Sequence, residues 1–139
     1  MQAAQRFWSL TVCAIVLLGF YPAPLPAQEE TTTAVHLEEA AICRQVENRT
    51  PIGIGSVFPA EIGRLYCFTK VVGATEDTAI VHHWYLNGKL KASITLPVKS
   101  ASWRTWSSKD ISPDETGDWM VELLSEDGKA LESILFLVQ

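Results

Sequence analysis

The stretch VHHWYLNGK, residues 81–89, contains the residue types most able to do chemistry, because two histidines are adjacent in it. Histidines can bind a metal ion or transfer protons near neutral pH. The same stretch has the composition of a β-strand that ends at an Asn-Gly turn. Because successive side chains of a strand point to opposite faces, His82 and His83 cannot both face one site. We therefore predict neither a metal site nor a bound cofactor here.

The register of the hairpin decides which histidine faces the core. A two-residue turn at residues 87–88 would place Trp84 on the solvent face. A three-residue loop at residues 86–88, with its glycine in a bulge, would pair Trp84 with Leu90 and keep Trp84 and His82 on one apolar face. We favour the three-residue loop, and with it a neutral, structural His82 that hydrogen-bonds within the core.

The sequence contains no recognisable set of catalytic residues. Ser107 and Ser108 lie outside any nucleophile-elbow pattern, and no zinc motif, phosphate-binding glycine loop or HExxH stretch occurs. Four carboxylates crowd residues 109–118, KDISPDETGD, but their spacing differs from that of an EF-hand loop. We interpret this segment as the turn before a strand. The expectation is a protein that is not an enzyme and has no catalytic residues.

A binding surface is the alternative to catalysis, and residues 102–111, SWRTWSSKDI, supply its candidates. Two tryptophans lie on opposite faces of this predicted strand, so one of them is brought toward the surface. Trp106 shares its face with Arg104 and could anchor a protein partner or stack on a sugar ring. Tyr85 and Lys109 complete the candidate surface. In the competing interpretation both tryptophans pack, and Arg104 covers a ring.

Residues 1–27 have the three-part layout of a secretory signal peptide, with Arg6, an apolar run and a proline-rich end. The run is shorter than the roughly 20 residues that a membrane-spanning helix needs. We expect cleavage and a periplasmic or secreted protein without a stable membrane span, with an uncleaved N-terminal anchor as the alternative. In such a compartment Cys43 and Cys67 predict a disulfide, and two buried thiols on neighbouring strands are the other interpretation.

Residues 28–39 are acidic and Thr-rich and predict a flexible lead-in. Residues 40–139 predict a single all-β domain, an immunoglobulin-like antiparallel sandwich of about seven strands, because short segments rich in Val, Ile, Leu, Trp and Thr alternate with turn residues. The net charge of −5, without a long basic cluster, argues against nucleic acid as a partner. The predicted strands are residues 40–47, 63–73, 79–86, 89–96, 102–110, 117–125 and 129–138.

Several stretches, in this order and spacing, resemble the bacterial domain of unknown function 2914 family (DUF2914). They are residues 42–43, 48–51, 65–69, 82–85, 103–109, 117–121 and 127–128. The resemblance extends over about residues 40 to 138. It implies that His82, Trp84, Trp103 and Trp119 are structural positions of the family motifs, and that Trp106 stands where the family commonly has tyrosine. It further implies a small exported or envelope-associated β domain and no assigned activity.

The sequence thus favours a non-catalytic binding or adaptor module that holds a protein partner in the cell envelope. A carbohydrate-binding module, with Trp106 and Tyr85 as stacking platforms, is the first alternative. A small hydrolase or metal enzyme that uses His82 is the second.

Overall fold

The structure, a computed structural model, describes residues 34–139. The described part of the chain is all-β, as predicted, with one short 3-10 helix at Ala60–Ile62. The predicted signal peptide, residues 1–27, and residues 28–33 of the predicted lead-in lie outside the described residues. The strands are β1 (His36–Cys43), β2 (Gln45–Glu47), β3 (Thr50–Ile52), β4 (Val57–Phe58), β5 (Gly63–Val72), β6 (Thr78–Leu86), β7 (Lys89–Val98), β8 (Ser102–Ile111), β9 (Gly117–Ser125) and β10 (Ala130–Val138).

Two larger sheets and one hairpin organise these strands. The first sheet has the order β1-β5-β8, and the second has the order β4-β10-β9-β6-β7. β2 and β3 form a separate two-stranded hairpin. All strand pairs are antiparallel except the short pair of β4 and β10. In residues 34–139, no helix has the length and apolar character that a membrane crossing needs.

Side chains from both larger sheets form the hydrophobic core, which consists of a larger cluster and a smaller one around Val71, Ile80 and Val98. β1 and β5 contribute Ile42 and Leu65, whereas β6, β9 and β10 contribute Trp84, Trp119 and Phe136. The Phe136 ring stacks on Trp119 and meets Trp84 edge-on, with ring centroids 6.0 and 6.2 Å apart. Rings of this size bury much of the apolar area of a small domain. Each larger sheet therefore has one face in the core and one outer face.

Six of the seven predicted strands begin and end within two residues of an observed strand, β5 to β10. The predicted count of about seven is too low, because β2, β3 and β4 have only two or three residues each, too few for a periodic pattern to mark a separate strand. β1 begins at His36, inside the predicted lead-in. Leu37 packs against both clusters of core residues, which extends the strand toward the N-terminus.

The predicted register of the β6–β7 hairpin is wrong, although the faces of the strand are as expected. A two-residue turn forms at Asn87 and Gly88, with φ of 48° and 79°. A register shift follows immediately, and Trp84 pairs with Ala92 instead of Leu90. This bulge adds one residue to β7. The Asn-Gly turn and an inward-facing tryptophan are therefore compatible.

The predicted disulfide is also wrong, because Cys43 and Cys67 are both free and fully buried. They lie on the paired strands β1 and β5, where Cys67 is opposite Ile42 and Cys43 is opposite Tyr66. Paired residues share a face and consecutive residues alternate, so the two thiols leave the sheet on opposite faces. Burial raises the pKa of both thiols. The structure thus has two buried thiols on neighbouring strands.

Candidate functional site

The only histidine with a buried polar environment in residues 34–139 is His82, which β6 places in the core between the two larger sheets. His82 Nδ1 lies 2.7 Å from the Ser107 hydroxyl on β8. The same hydroxyl accepts a hydrogen bond from Trp84 Nε1 at 3.1 Å. Because His82 and Trp84 are two apart on β6, both point to the same face and reach Ser107 together. We call these three residues the buried polar cluster.

The electrostatics of this cluster keep His82 neutral. Burial lowers the pKa of His82 from 6.5 to about 4. Its Nε2 atom has no hydrogen-bond partner among the described residues. A Ser–His pair becomes a nucleophile and base only when a third group orients the imidazole and substrate can reach the hydroxyl. Here Ser107 is itself buried, so the pair connects two sheets and is closed to substrate.

His83 occupies the other face of β6, as strand geometry requires. Its Nδ1 atom lies 3.8 Å from Glu122 Oε2, and its ring meets Tyr85 edge-on. The two adjacent histidines therefore face different environments. Among residues 34–139, no group of three or more His, Cys, Asp or Glu side chains is placed to hold a metal ion.

Arg104 and Trp106 lie together on the outer face of the first sheet. In the β5–β8 pairing Arg104 is opposite Lys70, and Trp106 is opposite Phe68. The Trp106 ring stacks on the buried Phe68 ring, with centroids 6.4 Å apart and planes inclined by 16°. Trp106 still exposes 36% of its surface. We call the outer surface around these two residues the Arg104/Trp106 face.

The other two predicted surface residues lie elsewhere. Tyr85 is on the outer face of the second sheet, where its hydroxyl donates to Glu122 Oε2 at 3.3 Å. Partial burial and the neighbouring Glu122 carboxylate raise the pKa of this phenol. Lys109 projects from β8 on the side opposite to Arg104, and its Nζ atom lies 3.6 Å from Glu115 Oε2. Tyr85 and Trp106 therefore do not form one stacking platform.

Two of the four carboxylates in residues 109–118, those of Asp110 and Glu115, are engaged in ion pairs. Glu115 contacts Lys91 at 2.9 Å and accepts a hydrogen bond from the Ser112 amide at 3.1 Å. Asp110 pairs with Arg64 at 2.6 Å. These hydrogen bonds, from Lys91 and Arg64 respectively, hold the pKa of both carboxyl groups below the usual range. The arrangement fits the predicted turn before a strand and differs from an open calcium loop.

Residues 77–138 match the family model described as "Protein of unknown function (DUF2914)". This match supports the assignment of these residues to the DUF2914 family. The resemblance in the sequence is thus confirmed for this part of the chain. No curated protein matches the chain.

The DUF2914 match contains β6 to β10 and with them the whole buried polar cluster. Arg104 and Trp106 are also inside it, as are Trp103 and Trp119. Trp119 is buried in the core, and its Nε1 donates to the Glu115 carbonyl at 2.9 Å. Trp103 is partly buried against the smaller core cluster. The cysteine segment and the β5 stretch that also suggested the family lie outside the match.

Two basic residues near the Arg104/Trp106 face are absent from the sequence-based predictions. Lys70 lies on β5, and Arg49 lies in the turn between β2 and β3. With Arg104 and Ser102 they line a cavity of about 300 Å³. The three cations come from separate segments of the chain, so no run of basic residues in the sequence indicates that they form a cluster. Only the strand pairing and the position of the β2–β3 hairpin bring them together.

Proposed function

We propose that this DUF2914 protein is a non-catalytic binding module of the cell envelope, an immunoglobulin-like β-sandwich that holds a protein partner on its Arg104/Trp106 face. The single observation that carries the proposal is the Trp106 ring, which is fixed against buried Phe68 and yet is one-third exposed. Tryptophan and arginine are enriched among residues that dominate binding energy. A ring already held in place loses little conformational entropy when a partner covers it.

The sandwich part of the proposal is supported by the order of the seven longer strands. They divide into β1-β5-β8 and β10-β9-β6-β7, three strands against four. Trp84 is buried on β6, the third of these strands, as a tryptophan on the third strand commonly is in immunoglobulin domains. Such sandwiches serve many functions, so the strand order supports the architecture and leaves the activity to the surface residues.

The non-catalytic part of the proposal is supported by the environment of His82. A general base acts when its pKa lies near the working pH and its nitrogen reaches the substrate proton. Burial lowers the pKa of His82 to about 4, and none of its surface is exposed. His82 as the base of a hydrolase is therefore the weaker hypothesis.

The export part of the proposal rests on the pattern of residues 1–27 and is tested separately. Cell fractionation, with mass spectrometry of the mature N-terminus, should find the protein outside the cytoplasm and cleaved near residue 27. A protein that keeps its first residues and stays with the membrane would instead support an uncleaved anchor.

The binding role is tested by cross-linking and co-purification of the full chain from native envelopes. Trp106→Ala should lose a stoichiometric protein partner. Leu135→Ala is the matched control, because Leu135 is 71% exposed on the outer face of the second sheet. Loss of the partner in Leu135→Ala but not in Trp106→Ala would refute the assignment of the surface. Retention on insoluble peptidoglycan without a protein partner would favour the carbohydrate-binding alternative.

A further inference from the structure

Two cations stand directly opposite each other on the outer face of the first sheet. Lys70 on β5 pairs in register with Arg104 on β8. Like charges in directly opposed positions destabilise a sheet. Glu38 on β1 forms an ion pair with Lys70 and relieves part of this repulsion. Arg104 forms no ion pair with a carboxylate of residues 34–139.

Arg49 brings a third cation to the same place from a strained turn. Glu47 pairs with Thr50, so Asn48 and Arg49 are the two central residues of the β2–β3 turn, with φ of 49° and 62°. Such turns favour glycine at the second central position, and a side chain there is unfavourable. Strained residues that persist are a reason to look for a function.

The position of the Arg49 side chain is set by an aromatic ring. Its guanidinium carbon lies 5.7 Å from the centroid of the Trp103 ring, within the range of a cation–π contact. Like Arg104, Arg49 forms no ion pair with a carboxylate of the described residues. The ring contact fixes the cation without neutralising it, and its planar fork of N–H donors stays available.

These residues line one cavity of about 300 Å³, and Ser102 adds a hydroxyl to it. Its lining contains Arg49, Lys70 and Arg104 and no carboxylate. Guanidinium groups bind carboxylates through two parallel hydrogen bonds, which are stronger than neutral ones. We propose that this cavity binds a carboxylate group presented by an acidic segment of the partner protein. The inference rests on the proposed function and names the chemistry of its partner.

The position of Trp106 indicates the form of that segment. Arg104 and Trp106 are two residues apart on β8, so their side chains leave the same face about 7 Å apart. Alternate side chains of an extended peptide have the same spacing. A partner strand with an acidic residue two positions from an apolar one can therefore place its carboxylate in the cavity and its apolar side chain on Trp106.

The test is a titration of the full chain with a synthetic hexaglutamate peptide, followed by NMR of the backbone amides and the arginine side chains. The peptide should shift the signals of Arg49 and Arg104. Arg49→Gln and Arg104→Gln should each weaken binding about tenfold, the effect of losing one charge-assisted hydrogen bond. Arg64→Gln is the matched control. It removes the same charge from the other end of β5, where Arg64 is engaged by Asp110.

Equal weakening in all three variants would overturn the proposal, because it would indicate diffuse attraction to the surface. Absence of shifts at Arg49 and Arg104 would overturn it as well. Thermal unfolding of each variant shows whether it is folded. If Arg49→Gln does not fold, the comparison of Arg104→Gln with Arg64→Gln is sufficient for the test.

The inference and the proposed function fail in distinguishable ways. If the native partner needs Trp106 but is held equally well by Arg49→Gln and Arg104→Gln, the carboxylate site is wrong and the binding role stands. If hexaglutamate binds in the cavity but no native partner depends on Trp106, the cavity stands and the proposed binding role is wrong.

Discussion

Acidification below about pH 6.5 should destabilise this protein through His82, the buried member of the adjacent pair of histidines. Burial lowers the pKa of His82 from 6.5 to about 4. Between these two values the unfolded chain binds a proton that the folded chain does not. The free energy of unfolding therefore falls as the pH falls through this window. The stability linked to neutral His82 is fully present above pH 6.5.

The size of the effect follows from the two pKa values. One pKa unit corresponds to about 1.4 kcal/mol, so the full difference is about 3 kcal/mol below pH 4 and about 2 kcal/mol at pH 5. The ion-paired carboxylates Glu38, Asp110 and Glu115 are not the source, because their pKa values are lowered by their cationic partners. Their contributions are lost only as the pH falls below the ordinary carboxylate range.

The assay is urea unfolding at a series of pH values between 5 and 7.5. Wild type should lose about 2 kcal/mol of unfolding free energy over this range. His82→Asn should lose this dependence on pH. An NMR titration of the His82 ring adds a measurement that needs no variant. Protonation of the folded-state ring above pH 6 would refute the reasoning.

Three further predictions concern packing and backbone geometry. Ser107→Ala should cost about 1–3 kcal/mol in urea unfolding, because it leaves a buried imidazole and a buried indole without their shared partner. Cys43 and Cys67 should react with a thiol reagent only after denaturation, because both are buried free thiols. A reducing agent should leave the melting temperature unchanged, and a lower melting temperature after reduction would indicate a disulfide. Gly88→Ala should cost about 1 kcal/mol through backbone strain alone, since nothing lies within 4 Å of the added methyl group. Gly117→Ala should cost more, because its methyl group would lie 2.6 Å from Oδ1 of Asn87. Equal melting temperatures for Gly88→Ala and Gly117→Ala would contradict this prediction.

The alternation of apolar and polar residues predicts the long strands well. Turn residues flank each of these long strands. Trp84 on β6 and Trp119 on β9 lie at positions that face the core. The same information does not predict the pairing of β6 with β7. Both the Asn-Gly turn and the inward tryptophan are local signals, and they conflict unless a bulge is inserted. Lys91 is the bulge residue, and nothing in the sequence around it indicates a bulge.

The surface was less predictable because it depends on contacts between distant segments. Alternation on β8 places Arg104 and Trp106 on one face, which the sequence shows. That Lys70 stands opposite Arg104 follows only from the register of β5, and the approach of Arg49 follows only from the position of the β2–β3 hairpin. The pairing of Trp106 with Phe68 likewise requires the register. A cluster assembled from three segments leaves no local signal in the chain.

The buried polar cluster and the Arg104/Trp106 face are two sides of one strand. Ser107 is the residue after Trp106 and points from β8 into the core, where it joins His82 and Trp84 of the opposite sheet. A buried hydrogen-bond network favours one arrangement of the groups that satisfy it. Because β8 is at the edge of its sheet and is held on one side only by β5, this network adds a second restraint on its position. His82 thus acts on the Arg104/Trp106 face indirectly, by fixing the strand that carries Arg104 and Trp106.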